Sequence, residues 1–128
     1  MATKQAVIDF LNSNYNVEML DGGLIKVVFR FEDGRTQMVL VGFTESEPAP
    51  ALMIISSVFA TTNDVSLKKA LKAAADGPLG VKLIGDLLTL THAVPIADLD
   101  PSEIETGFSM VAVTADLFEQ KLLGSDNF

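Results

Sequence analysis

Two β-prone runs, LIKVVFRF and TQMVLVGF, flank the tetrapeptide EDGR at residues 32–35. Asp-Gly between such runs is the strongest short-range hairpin signal, because a two-residue type I′ turn needs positive φ at both central positions. It commits the chain to an antiparallel pair and sets a register. With Asp33 and Gly34 as the loop, Glu32 pairs with Arg35, Val28 with Val39 and Lys26 with Val41. One face then carries Ile25, Val27, Phe29 and Phe31 beside Leu40, Met38 and Thr36, which reads as a core face. The other carries Leu24, Lys26, Val28 and Arg30 beside Phe43, Val41, Val39 and Gln37. That second face is an apolar strip between charged stems, neither a clean core nor a clean solvent surface.

The remaining elements follow from turn and cap chemistry. Thr3 can cap a first helix, KQAVIDFLNSN, whose Val7, Ile8 and Leu11 share a face. Asp21-Gly22-Gly23 marks a turn, and the prolines of TESEPAP, residues 44–50, make that stretch a loop. ALMIISSVF is apolar on both faces and so reads as a central third strand. Asn63 or Asp64 can cap SLKKALKAAAD, in which Leu67, Ala70, Leu71 and Ala74 form the inward stripe before Gly77-Pro78 ends it. GVKLI and LLTLTHAVPI make a second hairpin around Gly85-Asp86, with Val81 and Leu83 facing Leu90 and Leu88, and Pro95 stops it. DPSEIETG opens the last helix with Asp100 as N-cap, Pro101 at N1 and Glu103 at N3. The order is helix, three strands, helix, two strands, helix. It predicts a single α+β domain over residues 1–128, a mostly antiparallel five-stranded sheet with helices on one side.

Nine basic against seventeen acidic residues give a formal net charge of −8. That balance argues against nucleic acid and anionic membranes as partners, and toward clients with basic segments. The chain has no cysteine, which fits a cytoplasmic location and rules out thiol chemistry and thiolate metal sites. MATKQAVIDFLNSN lacks the apolar run of a secretory signal, and ALMIISSVFA is about half the length of a membrane span. His92 is the only histidine, and its apolar neighbours predict a partly buried, hydrogen-bonded residue rather than a catalytic base. Asp98, Asp100, Glu103 and Glu105 lack the order of a calcium loop and are explained by charge complementarity at a helix start. Gly22-Gly23 lacks the strand, helix and lysine of a phosphate loop. No enzyme, cofactor or metal site is expected.

The segment GVKLIGDLLTLTHAVPIADLDPSEIETGF, residues 80–108, carries a resemblance. Its turn between two strands, its apolar strand ending at Val94-Pro95-Ile96 and its capped helix look like the secretion-chaperone-like fold. That fold is shared by type III secretion chaperones of the Tir-chaperone type and by YbjN-type domains. The resemblance implies a non-enzymatic peptide- or protein-binding chaperone or adaptor, commonly a homodimer.

In the last helix, GFSMVAVTADLF is apolar on two sides. Ile104, Phe108, Val111, Ala115, Phe118 and Leu122 recur at helical spacing and supply the core stripe. Met110, Val113 and Leu117 form a second stripe on nearly the opposite side. Burying three such side chains is worth roughly 1.5 to 3 kcal/mol each, so a cover is expected for them. The first helix, the tail after Gly124, a second copy or a client could supply it. Met110, Val113 and Leu117, with Val28, Val39, Val41 and Phe43 of the hairpin, are therefore the candidate partner or dimer surface, for the chain itself or a protein client. The alternative function is a small-ligand sensor or regulatory subunit with a pocket between helix and sheet, marked by His92, Thr89 and Thr91.

Overall fold

A computed structural model describes residues 3–45 and 50–123. Its elements are α1 (Lys4–Asn14), β1 (Asn16–Met19), β2 (Ile25–Arg30), β3 (Thr36–Thr44), β4 (Leu52–Thr61), α2 (Leu67–Ala74), β5 (Gly80–Ile84), β6 (Leu87–Pro95) and α3 (Pro101–Leu123). The strands form one antiparallel sheet in the order β1-β2-β3-β4-β6-β5, so the fold is α+β with six strands rather than five. The extra strand is NVEM, too short and polar to read as a strand alone. It forms because Gly22 and Gly23, at φ 78° and 82°, turn the chain so that β1 lies against β2. Leu20 N–H donates to Leu24 C=O at 2.8 Å, and Lys26 meets Glu18 at 3.7 Å.

The first hairpin departs from its expected register by one residue. Asp33 Oδ1 accepts from Arg35 N–H at 3.0 Å, and Gly34 alone takes the left-handed conformation, at φ 90°. Phe31 N–H donates to Arg35 C=O at 2.8 Å, so Phe31 rather than Glu32 faces Arg35 across a three-residue loop. Ile25 now pairs with Val41, Val27 with Val39, and Val28 with Met38. A one-residue slip turns a strand over, and β3 therefore presents Val39 and Val41 to the core and Met38 and Leu40 to the other side.

The second hairpin has the expected register, Ile84 with Leu87 and Val81 with Leu90, around Gly85 at φ 60°. β4 is central, between β3 and β6, and its ladder to β6 slips between Val58 and Ala60. Asp100 Oδ1 accepts from Ser102 Oγ at 2.7 Å and from Glu103 N–H at 2.9 Å, and those bonds hold its carboxyl below the usual aspartate range. Thr3 caps α1, accepting from Ala6 N–H. Ser66, not Asn63 or Asp64, caps α2, because Asp64 Oδ2 instead accepts from the Thr61 hydroxyl at 2.9 Å.

α3 lies across β3, β4 and β6, burying Ile104, Phe108, Val111 and Ala115 as its spacing predicts. Phe118 and Leu122 of the same stripe are half-buried. The Phe108 ring meets Tyr15 edge-on at 5.0 Å, and Phe118 meets Phe59 at 5.3 Å. At Gly107 the helix comes so close to the sheet that a Cβ there would stand 2.8 Å from Ile55 Cδ1. A glycine at that point lets the backbone approach. Arg35 Nη1 ties the hairpin loop to α3 through both carboxylate oxygens of Asp116, at 3.0 and 2.8 Å.

α2 uses only the alanine half of its expected stripe, Ala70 and Ala74. It packs through Ala70, which is buried, while Leu67 and Leu71 are 46% and 51% exposed. The alanine side allows the closer approach, and the leucines are left outside. No described helix is long and apolar enough to cross a membrane.

Candidate functional site

The three helices pack on one side of the sheet. Tyr15, at the end of α1, touches Phe108 of α3, and α2 shares a cleft with Leu90, Thr114 and Phe118. An antiparallel sheet wetted on one side ordinarily alternates apolar inward and polar outward. This one does not. Its uncovered face carries Leu24, Val28, Met38, Leu40, Leu52, Ile54, Ile84 and Leu87, all half-buried or exposed.

The polar groups on that face are largely turned on one another. Ser56 Oγ donates to Thr91 Oγ1 at 3.2 Å, and the Thr89 hydroxyl donates to Lys82 C=O at 3.1 Å. What remains for a partner is apolar surface with the charges of Lys26, Arg30 and Lys82 set in it. A depression of about 220 Å³ lies in it, lined by Leu24, Leu40, Gly42, Phe43, Ile54, Ser56, Lys82 and Ile84. Leu24, just before β2, and Lys82 and Ile84 of the edge strand β5 line one hollow, so the face is concave.

This surface corrects the candidate site. Val39 and Val41, expected on it, have no exposed area and sit in the core under the helices, because the slipped register turned β3 over. Val28 is on the uncovered face and half-buried. Phe43 is half-buried and borders the depression, with the Lys4 ammonium 5.4 Å from its ring centroid. Met38, Leu40, Ile54 and Ile84 were missed. The signal for them was Asp33, whose side chain can cap a three-residue loop, and the β-branched match of Ile25 and Val27 with Val41 and Val39. It was masked by Gln37, which this register buries completely. Its Nε2 donates to Ser57 Oγ at 2.9 Å and Val58 C=O at 3.0 Å, while its buried Oε1 has no hydrogen-bond partner among the described residues.

A second apolar surface lies on the helical side. Val113 and Leu117 are 40% and 56% exposed and Met110 is half-buried. α1 leaves this stripe open, and the tail after Gly124 lies outside the described residues. Leu67 and Leu71 of α2 are exposed as well. The stripe and the hairpin face therefore lie on opposite sides of the sheet and do not form one continuous patch.

Between the end of β6 and α3 runs a groove of about 220 Å³, lined by His92, Val94, Ser102, Glu103, Thr106, Gly107 and Met110. His92 is partly buried, as expected, yet its imidazole makes no hydrogen bond among the described residues. Ser102 Oγ donates to Asp100 Oδ1 at the N-terminus of α3. Thr89 and Thr91 lie on the opposite face of the sheet and do not line this groove. Burial pushes the nearby Tyr15 hydroxyl up, and the Glu105 charge adds to it. Among the described residues no group of three His, Cys, Asp or Glu side chains could hold a metal ion. Compared with known proteins, the sequence matches no family model and no curated protein.

Proposed function

We propose that this chain is a non-enzymatic, peptide- or protein-binding chaperone or adaptor of the secretion-chaperone-like, YbjN-like kind, working in the cytoplasm as a homodimer. One observation carries the reading: a six-stranded sheet covered by helices on one face and apolar on the other. Contiguous exposed apolar area of this kind marks interaction sites. The client occupies the uncovered sheet face. The second copy meets the outer side of α3 at Met110, Val113 and Leu117, extended by Leu67 and Leu71 of α2. That extension is needed, because association costs at least about 4 kcal/mol and three side chains are a thin margin over it.

The double substitution Met110→Asp with Leu117→Asp is expected to halve the molar mass in light scattering and leave the circular dichroism spectrum unchanged. Mass unchanged in that variant removes the dimer contact from α3. A second reading, a small-ligand sensor, is favoured by the groove at His92, which sits between helix and sheet. Mass spectrometry of the protein isolated under native conditions separates the two. A small molecule that leaves on His92→Ala supports the sensor, and its absence beside a recurring protein client supports the chaperone.

A further inference from the structure

The chain as a whole is acidic, but its uncovered sheet face is not. The charged side chains that the strands place there are Lys26, Arg30 and Lys82 against Glu18 alone, and Glu18 is engaged with Lys26 at 3.7 Å. Arg30 and Lys82 carry no ion pair among the described residues. Lys82 also lines the apolar hollow. The acids nearest this face, Asp21, Glu32 and Asp86, lie in turns at the strand ends, and Asp33 is tied to Arg35 at 2.7 Å.

From this sign reversal we infer that the uncovered face docks an acidic amphipathic helix, apolar along one side and bearing carboxylates on both flanks. The inference rests on the reading of that face as the docking surface and names its partner's chemistry. It replaces the basic client that the net charge alone suggests. The geometry fits a helix. β2 and β5 are separated by β3, β4 and β6, so their backbones lie four strand spacings, about 19 Å, apart across the sheet at ~4.8 Å per strand. A helix about 10–12 Å across fills that width once glutamate stems extend from both sides. An apolar ridge then enters the hollow of Leu24, Leu40, Ile54 and Ile84, much as α3 covers the opposite face.

The probe is a synthetic helix of leucine, alanine and glutamate, about 18 residues or ~27 Å long, with leucine along one side and glutamate on the flanks. A second peptide has lysine at every glutamate position. The glutamate peptide is expected to bind at least tenfold more tightly than the lysine peptide in titration calorimetry, and more weakly as salt is raised. Arg30→Glu with Lys82→Glu, both at exposed positions, is expected to reverse that preference. Leu24→Asp with Ile84→Asp, 41% and 47% exposed in the parent, is expected to abolish binding without unfolding. Equal binding of the two peptides, lost in the Leu24→Asp, Ile84→Asp variant, overturns the charge selection and leaves the docking face standing. Binding that this variant does not disturb overturns both, and no binding of either peptide overturns the inference.

Discussion

Val41→Lys is expected to unfold the protein, while Leu40→Lys, one residue earlier, leaves it folded. Val41 has no exposed area and packs with Ile25 and Ile55 on either side of it in the sheet. A lysine there has no carboxylate partner on the neighbouring strands, and full burial lowers such a pKa by up to about 3–5 units. At 1.36 kcal/mol per unit that is about 4–7 kcal/mol, with roughly 1.5–3 kcal/mol more from the lost valine burial. The sum reaches a small domain's net stability of about 5–15 kcal/mol. Leu40 lies on the uncovered face beside Lys26 and Ser56, half-buried, where a lysine stem can lie along the sheet and keep its ammonium in water. Circular dichroism of the two variants is the measurement. A folded Val41→Lys protein beside an unfolded Leu40→Lys one would restore the register with Glu32 opposite Arg35.

Phe108→Ala is expected to lower the unfolding free energy by about 3–5 kcal/mol in urea titration. The ring is fully buried where α3 crosses the sheet and stacks edge-on against Tyr15, so it joins α3 to the end of α1 as well as to the strands. Its loss leaves a cavity that the close approach at Gly107 keeps from collapsing, since that glycine already brings the helix backbone onto Ile55. Leu117→Ala, on the exposed side of the same helix, is expected to cost no more than about 0.5 kcal/mol in the monomer. Similar losses in the two variants would mean that α3 does not seat through its Phe108 side.

What could be read from the sequence was whatever local chemistry decides. Asp100, Pro101 and Glu103 fix the start of α3 because capping needs only neighbours in the chain. Gly85-Asp86 fixes its hairpin because no longer loop competes there, and Ile84 and Leu87 pair as expected. The first hairpin went the other way at one decision, whether Asp33 lies inside a two-residue loop or caps a three-residue one. That decision depends on whether the core can pair the amide nitrogen of Gln37, which Ser57 and Val58, some twenty residues away, do. β1 was invisible because four residues, NVEM, acquire strand conformation only by pairing with β2. The leucines of α2 face outward while Ala70 is buried and Ala73 and Ala74 border a cleft with Leu90 and Phe118, which periodicity alone does not encode.

The slip also changes what the protein offers to a partner. With Val39 and Val41 inside, the uncovered face is built of Met38, Leu40, Ile54, Leu24 and Ile84, with Lys26, Arg30 and Lys82 as its charges. The acids of α3 lie on the other side of the sheet, so the global charge misstates the local one.

The most direct test of the docking face is a methyl NMR titration with the glutamate-flanked helix. Methyl groups of Leu24, Met38, Leu40, Ile54 and Ile84 are expected to shift on binding, while those of Val39, Val41 and Ile55, their neighbours along the same strands, stay in place. Shifts confined to Met110, Val113 and Leu117, with the sheet methyls silent, would contradict the account.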